Sequence, residues 1–451
     1  MGNSTTTWST ATMADIGHNR RPAFDRSNAH YRRAEAVIPL ATQTFSKSAM
    51  NFVRGAAPLF LERGDGPYVW DIDGNRYIDY VAGLLCIVLG YRDPDVDAAI
   101  RAQLDRGISF SLATTLECAL AERLVQLIPC AEMVRFAKNG SDVTAAAIRL
   151  ARAYTGRDRI ALCGYHGWHD WSIGTTTRDL GVPAAVKRLS ATFTFNDAAS
   201  LAALLTRDPD RYAAIVIEPA TTVAPSPGFL EAVRELADHY GAVLVFDEIV
   251  TGFRIDLAGA QGHYGITPDL ACFGKSMGNG MPISAIVGRR DIMRVMEDVF
   301  VSGTFGGEAL SLAAALATID KLERTDGVSR LKSLGRRLAA VLSHGLAASG
   351  LDRHFAVGGQ DWWVRLVHRP EGGATPVLAT SLLRQEAAAQ GLLMGAGLNL
   401  CLAQDNPTVI AETEQAWRDA CVTAMWALND ANPARHLRGA PIEPVFQVRR
   451  P

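Results

Sequence analysis

The middle of this chain alternates short, wholly apolar runs with helical patterns, and nothing else in the sequence narrows the available folds as far. The runs fall at Ile160 to Cys163, Ala213 to Ile217, Val243 to Phe246, Leu270 to Phe273 and Ser284 to Val287. Helix-period segments lie between several of them, at Val143 to Tyr154, Leu201 to Leu205, and Leu230 to Tyr240, the last closed by Gly241. A strand covered on one face alternates apolar and polar residues, whereas one covered on both faces can be apolar throughout. The pattern therefore predicts an α/β architecture, a mostly parallel sheet with helices on both sides.

The flanks read differently. Tyr68-Val69-Trp70 and Tyr77-Ile78-Asp79-Tyr80 flank the turn Asp73-Gly74 after the β-like Leu59 and Leu61, which predicts a small antiparallel unit. A helical pattern runs from Asp95 to Leu104, and Ala309 to Leu322 reads as a long buried helix. Beyond about residue 325 the pattern becomes α+β. It comprises a helix from Ser329 to Ala348 ending at Gly350, a strand around Trp363 to Val367, and a helix from Pro376 to Gln390. A hairpin-like Leu392 to Leu402 and a last helix from Thr408 to Leu428 follow. The expected division is a mobile tail (1–25), the N-terminal part of a small domain (26–95), a large domain (96–325), and the C-terminal part of the small domain (326–451).

Composition removes several classes of function. With 48% hydrophobic residues in 451, there is ample material for a core. Forty-five basic against 47 acidic side chains leave no excess to neutralise a nucleic-acid backbone. No apolar run approaches the roughly 18 residues that cross a bilayer. Seven scattered cysteines without a Cys-x-x-Cys pair suggest reduced thiols and a cytoplasmic protein. Met1-Gly2-Asn3-Ser4-Thr5-Thr6 fits a myristoylation pattern, which is short and frequent by chance.

Three segments carry chemistry. Val243-Leu244-Val245-Phe246-Asp247-Glu248 is an apolar strand delivering carboxylates at its C-terminal end, where open α/β sheets bind ligands. Leu270-Ala271-Cys272-Phe273-Gly274-Lys275-Ser276 ends another strand in a lysine, a Schiff-base nucleophile if its surroundings suit, or simply a solvated side chain. Asn139-Gly140-Ser141-Asp142 precedes a helix and offers either a phosphate cradle or ordinary capping. Gly274-Lys275-Ser276 is no nucleotide P-loop, because position 269 is Asp where that motif needs Gly. In Tyr165-His166-Gly167-Trp168-His169-Asp170-Trp171, aromatics and a histidine at a strand end suit stacking on a flat ring. No further ligand cluster accompanies His166 and His169, so no metal site is expected.

Together these segments resemble the class III aminotransferases, dependent on pyridoxal 5′-phosphate (PLP). Among those they look like the glutamate-1-semialdehyde aminomutase group and its amino-sugar and aminoglycoside branch. The resemblance covers about residues 45 to 430 and adds Ile217-Glu218-Pro219, Asp247 to Arg254, and Gly303-Thr304-Phe305-Gly306-Gly307. It implies a fold-type-I PLP-dependent transferase, with a mostly parallel seven-stranded sheet in the large domain and a small α+β domain built from both chain ends. By resemblance, Lys275 is the Schiff-base lysine and proton shuttle, and Asp247 the partner of the pyridine nitrogen. Asn139, Gly140 and Ser141 hold the phosphate, Tyr165 and Ile249 sandwich the ring, and His166 and Glu218 support the site. Thr304 reaches the cofactor of a neighbouring subunit, which implies a homodimer.

The departures bear on substrate. Where the aminomutases carry approximately Ser-Trp-Gly-Pro at the pocket wall, this chain reads Gly83-Leu84-Leu85-Cys86, and no arginine matches the one that grips an α-carboxylate in many relatives. Leu84, Cys86 and Trp168 are the candidate substrate contacts. The expectation is a ping-pong aminotransferase passing an amino group from L-glutamate or L-glutamine to a carbonyl of an amino sugar or aminoglycoside-type intermediate. The alternative is an epimerase or aminomutase using Lys275 and Cys86 on opposite faces, with Cys86 as a small buried residue the plainer reading.

Overall fold

The computed structural model describes residues 22–445 and 447–449. The Met1–Thr6 pattern and all but the last four residues of the 1–25 tail lie outside the described residues. Strands β1 (Leu61–Asp65), β2 (Tyr68–Asp71) and β3 (Arg76–Asp79) form the antiparallel unit around Asp73-Gly74.

The central sheet has seven strands: β4 (Met133–Ala137), β5 (Arg159–Cys163), β6 (Ser190–Thr192), β7 (Tyr212–Ile217), β8 (Val243–Asp247), β9 (Leu270–Phe273) and β10 (Ser284–Gly288). Their order is β4-β10-β9-β8-β7-β5-β6, parallel from β9 to β6, with β10 antiparallel to both its neighbours. Strands β7 to β10 are buried along their whole length. Successive residues serve different cores: Ile215, Ile217, Leu244 and Phe246 belong to one cluster, Ala214, Val216, Val243 and Val245 to another. That is the physical meaning of the unbroken apolar runs. Each large side chain so buried contributes about 1.5–3 kcal/mol. The strands β4 and β6 escaped sequence reading because they sit at the edges, half-exposed, and β6 is only Ser-Ala-Thr.

Helices α1 (Pro94–Leu104), α2 (Gly140–Thr155), α3 (Phe229–Tyr240), α4 (Ala309–Arg324), α5 (Gly327–Ser349), α6 (Pro376–Ala389) and α7 (Pro407–Leu428) lie within a few residues of their expected positions. The shift that matters is at α2, which begins at Gly140, so Gly140 and Ser141 occupy its first turn. A capping box between Asn139 and Asp142 sets that start.

Two expectations for the C-terminal part need correction. A Gly-rich strand, β11 (Phe355–Gln360), precedes β12 (Trp363–His368) and was missed. The segment Leu392 to Leu402 is not a hairpin: β13 (Leu392–Leu393) runs parallel to β3, while β14 (Gly397–Leu398) joins β12. Each fragment meets a ready edge elsewhere, with Tyr80 N bonding the Leu393 carbonyl at 2.8 Å and Leu366 N the Ala396 carbonyl at 2.9 Å. Consequently β13 completes a sheet begun three hundred residues earlier.

Candidate active site

Three neighbouring parallel strands deliver the key side chains to one rim. Glu218 follows β7, Asp247 ends β8, and Gly274 and Lys275 follow β9. The registers Ile217 with Phe246 and Asp247 with Cys272 keep these ends level, and adjacent strands lie about 4.8 Å apart.

From β5, the chain turns through Gly164 (φ +108°) and brings His166 beneath Asp247. Its Nδ1 lies 2.8 Å from Asp247 Oδ2 and its Nε2 3.1 Å from the Cys163 carbonyl. A carbonyl only accepts, so Nε2 carries a proton. Burial alone would lower the imidazole pKa, but the hydrogen bond and charge of Asp247, with the charge of Glu218, outweigh it and hold His166 above its ordinary value. Asp247 and His166 thus form a hydrogen-bonded pair in a buried place, with the second ring nitrogen held on the Cys163 carbonyl. Trp171 stacks on the imidazole at 6.1 Å and 6°. Burial, then the Asp247 charge, pushes the Glu218 carboxyl up to about 7, against the opposing pull of His166 and Lys275.

The Tyr165–Trp168 loop meets the N-terminus of α2. A Cβ at Gly167 (φ +111°) would come within 2.4 Å of Ser141 Oγ, so only glycine allows the approach. Trp168 N donates to Ser141 Oγ at 3.3 Å, and Thr144 Oγ1 to the His166 carbonyl at 2.8 Å. The Asn139 side chain is committed to the capping box, which leaves the first-turn amides of Gly140 and Ser141 as anion donors. Ile249 sits between two glycines: a Cβ at Gly140 or at Gly274 would each come 3.1 Å from its Cδ1. Tyr165 stands at the mouth, close enough to Asp247 that burial and that charge raise its phenol. Lys275 is half-buried with φ +32° at the head of a single turn, Lys275–Gly278.

Opposite these strand ends stands the segment that carries Leu84 and Cys86. Ala82, Gly83, Leu84 and Leu85 have φ of +46°, +58°, +62° and +74°, a left-handed turn of four residues, three of them not glycine. Such residues each cost roughly 1–2 kcal/mol. Side chains from near and distant parts of the chain hold the turn. Asp79 Oδ1 accepts from Val81 N (2.7 Å) and Ala82 N (3.1 Å). Arg254, 1% exposed, donates Nη2 to the carbonyls of Leu85 (2.9 Å) and Ile87 (3.2 Å), and Nη1 to that of Leu400 (2.8 Å). Ser276 Oγ reaches the Leu85 carbonyl at 3.1 Å, and Asn279 Oδ1 accepts from Val88 N and Leu89 N, both at 2.9 Å. The turn bearing Lys275 and the pocket wall are thus bolted together. Sequence reading placed Arg254 in a motif without giving it this task, and did not single out Asn279 or Asp79. An arginine closing an otherwise apolar Gly-Phe-Arg-Ile stretch was the available signal for the first.

The remaining candidates are less central. Trp168 is 68% exposed and lies edge-on to His169, so it belongs to the rim. Cys86 is half-buried, on the wall itself. Thr304 is exposed in a loop that lines a cleft of about 840 Å³ with Phe136, Lys138, Asp142 and Phe305, and neither Asp247 nor Lys275 borders that cleft. Among the described residues no group of three or more His, Cys, Asp or Glu side chains is placed to hold a metal ion, and no helix is long and apolar enough to cross a membrane.

A mostly parallel sheet with a lysine, a paired aspartate and a helix N-terminus at one rim defines an enzyme class that works through PLP. A family model for class III aminotransferases matches residues 51–351, and the chain belongs to that family, whose members are PLP-dependent enzymes. A 3-aminobutyryl-CoA aminotransferase of Cloacimonas acidaminovorans (strain Evry) is 40% identical over 75% of this chain and 82% of its own length. A glutamate-1-semialdehyde 2,1-aminomutase of Syntrophobacter fumaroxidans is 39% identical over 72% and 79%. The internal aldimine form of the FumI protein of Sphingopyxis sp. MTA144 superposes with a TM-score of 0.83 at 28% identity, over 91% of this chain and 99% of that one. The residues present suit the cofactor, with a glycine-lined anion cradle, a buried carboxylate hydrogen-bonded to His166, and the Lys275 amine near enough for its charge to act on Glu218.

Proposed function

We propose that this aminotransferase moves an amino group from an amino-acid donor, L-glutamate or L-glutamine, to a carbonyl of an amino sugar or aminoglycoside-type intermediate, in two half-reactions at one site. The observation that carries the chemistry is the meeting of Glu218, Asp247 and Lys275 at the ends of adjacent strands. Bound there, PLP supplies an electron sink for negative charge at the amine-bearing carbon. The first-turn amides of α2 hold its phosphate, Asp247 with His166 beneath holds its ring nitrogen, and Tyr165 and Ile249 cover its two faces. Lys275 Nζ takes the proton from the donor's amine-bearing carbon, and the wall at 82–86 excludes water and shapes the acceptor. The acceptor class rests on the departure at Gly83–Cys86 from the aminomutase wall. The competing acceptor is a short acyl chain, towards which the name of the 40% identical relative points. Exposed Phe110, Leu112, Phe300 and Phe305, with Ala309 N bonded to the Ile108 carbonyl joining the two segments, support a homodimer in which Thr304 serves the neighbouring site.

Adding L-glutamate to the holoenzyme should bleach its visible absorbance, and oxidised amino sugars should restore it faster than 3-oxo acyl compounds. Lys275→Ala should lower the bleaching rate about 10³- to 10⁴-fold, the scale of losing a positioned proton-transfer group. A holoenzyme that ignores every amino donor but exchanges substrate hydrogen for deuterium would favour the aminomutase reading, which relatives named 2,1-aminomutase support.

A further inference from the structure

Two arginines lie largely covered with no acid beside them among the described residues. Arg365, on β12, lies over the Trp363 ring, 5.7 Å from its centroid, and no described residue offers it a hydrogen-bonding oxygen. Its stem runs through a slot between two glycines: a Cβ at Gly397 would come 3.1 Å from its Cδ, and one at Gly359 3.2 Å from its Cγ. Arg384, on α6, donates Nη1 to the Asn51 carbonyl at 3.1 Å, while its Nε is buried without an acceptor. Burial, then the Arg365 charge, holds Arg384 down to about 10, and burial likewise lowers Arg365. Covered like charges are costly, and an anion between them removes the cost.

The pair also stands next to the pocket. On β12, Val364 and Leu366 turn to the main core, so Trp363 and Arg365 face the other way. Trp363 packs against the apolar cluster to which Leu85, Val250 and Trp362 belong, and its Nε1 donates to Asn399 Oδ1 at 2.9 Å. Asn399 Nδ2 in turn donates to the carbonyl of Val81, at the root of the left-handed wall, at 2.9 Å. Two residues along a strand is about 7 Å, so Arg365 stands within a small substrate's length of that wall.

We propose that Arg365, backed by Arg384, seats the carboxylate of the amino-acid donor. The inference rests on the donor reading above and supplies the carboxylate grip that no arginine of the sequence motif provides. A planar guanidinium matches a carboxylate with two parallel hydrogen bonds, whereas an uncharged amine gains nothing from it.

The test compares wild type with Arg365→Gln and Arg365→Lys in two measurements. In the donor half-reaction, Arg365→Gln should raise the KM for L-glutamate about 10- to 100-fold and leave that for 1-phenylethylamine, which has no carboxylate, unchanged. In thermal melts of the PLP-free protein, glutarate should raise the Tm of wild type, barely move Arg365→Gln, and act in part on Arg365→Lys. If inorganic phosphate at equal concentration raises the wild-type Tm more than glutarate, and that rise is lost in Arg365→Gln, the occupant is a phosphate and the carboxylate assignment falls. Equal KM for glutamate in wild type and Arg365→Gln, with an equal glutarate response, overturns the site altogether. A glutarate response that depends on Arg365 in a protein inert to glutamate would instead keep the anion seat and remove the donor reading.

Discussion

The strand ends and the pocket wall face each other across the candidate site, and they are built by opposite means. At the strand ends, the sheet does the positioning: Asp247, Glu218 and Lys275 arrive by register, and the side chains there hold one another, as His166 holds Asp247 at 2.8 Å. At the wall, the backbone itself is contorted, with four successive positive φ values from Ala82 to Leu85, and its carbonyls and amides are held by the neighbouring Asp79 and by Arg254, Ser276 and Asn279 from elsewhere in the chain. A shared cofactor suits the first construction, because regular strands fix a geometry that does not change. The second construction suits a part that sets the substrate, because the wall can be re-cut without disturbing the sheet. If this division is right, damage to the wall should change what is bound and spare the cofactor.

The largest effect should come from Arg254→Met. The side chain is similar in volume, but the buried carbonyls of Ile87 and Leu400 lose their donor and that of Leu85 is left with Ser276 alone. An unmet buried acceptor costs about 1–3 kcal/mol, so urea unfolding of the variant should show a loss of about 3–5 kcal/mol. Among molecules that remain folded, the KM for the acceptor should rise while PLP affinity stays within about twofold, the ordinary scale of a substitution that does not touch the ligand. A matching fall in PLP affinity would mean that wall and strand ends are one cooperative unit, and the comparison above would fail.

A smaller effect, and one confined to the strand ends, is expected of Glu218. Its carboxyl is raised to about 7 from 4.5, so the folded protein favours the neutral form. A raised folded pKa gives stability that is complete below the unfolded value and disappears as pH climbs through the folded one. The PLP-free wild type should therefore lose about 2–3 kcal/mol relative to Glu218→Gln between pH 4.5 and pH 8, most of it by pH 7.5. Urea denaturation of both proteins across that range would measure it. A constant difference between them would show that Glu218 is ionised throughout.

The same contrast explains what the sequence made legible. Apolar runs and their spacing reported the sheet, since strands buried on both faces leave an unmistakable pattern, and the strand-end residues followed because their positions depend only on where those runs stop. Strands β4 and β6 lacked the signal, being half-exposed at the edges. Leu392 to Leu402 misled because two β-prone fragments close in sequence look like a hairpin, whereas β13 pairs with β3 and β14 with β12, partners that no local pattern announces. The wall was the least legible part. Its Gly-Leu-Leu-Cys sequence says nothing of a left-handed turn, because the reasons for that turn lie in Asp79, Arg254 and Asn279, held there by contacts up to about two hundred residues away in the chain.

Gly83→Ala should give the smallest effect and the finest test of the wall. At φ +58°, alanine costs about 1 kcal/mol over glycine, and its Cβ would stand 3.1 Å from Ile87 Cγ1, a contact that a small rotation of Ile87 relieves. Stability should fall by about 1 kcal/mol, with the PLP spectrum and the rate of bleaching by L-glutamate unchanged. The acceptor half-reaction should slow several-fold, because Ile87 lies between this residue and Gly280, where a Cβ would come 2.9 Å from Ile87 Cδ1 just beyond the turn that Lys275 begins. Equal slowing of both half-reactions would place the wall's influence on Lys275 itself. Slowing of the acceptor step alone would confine it to the substrate, as the separate construction of the two sides requires.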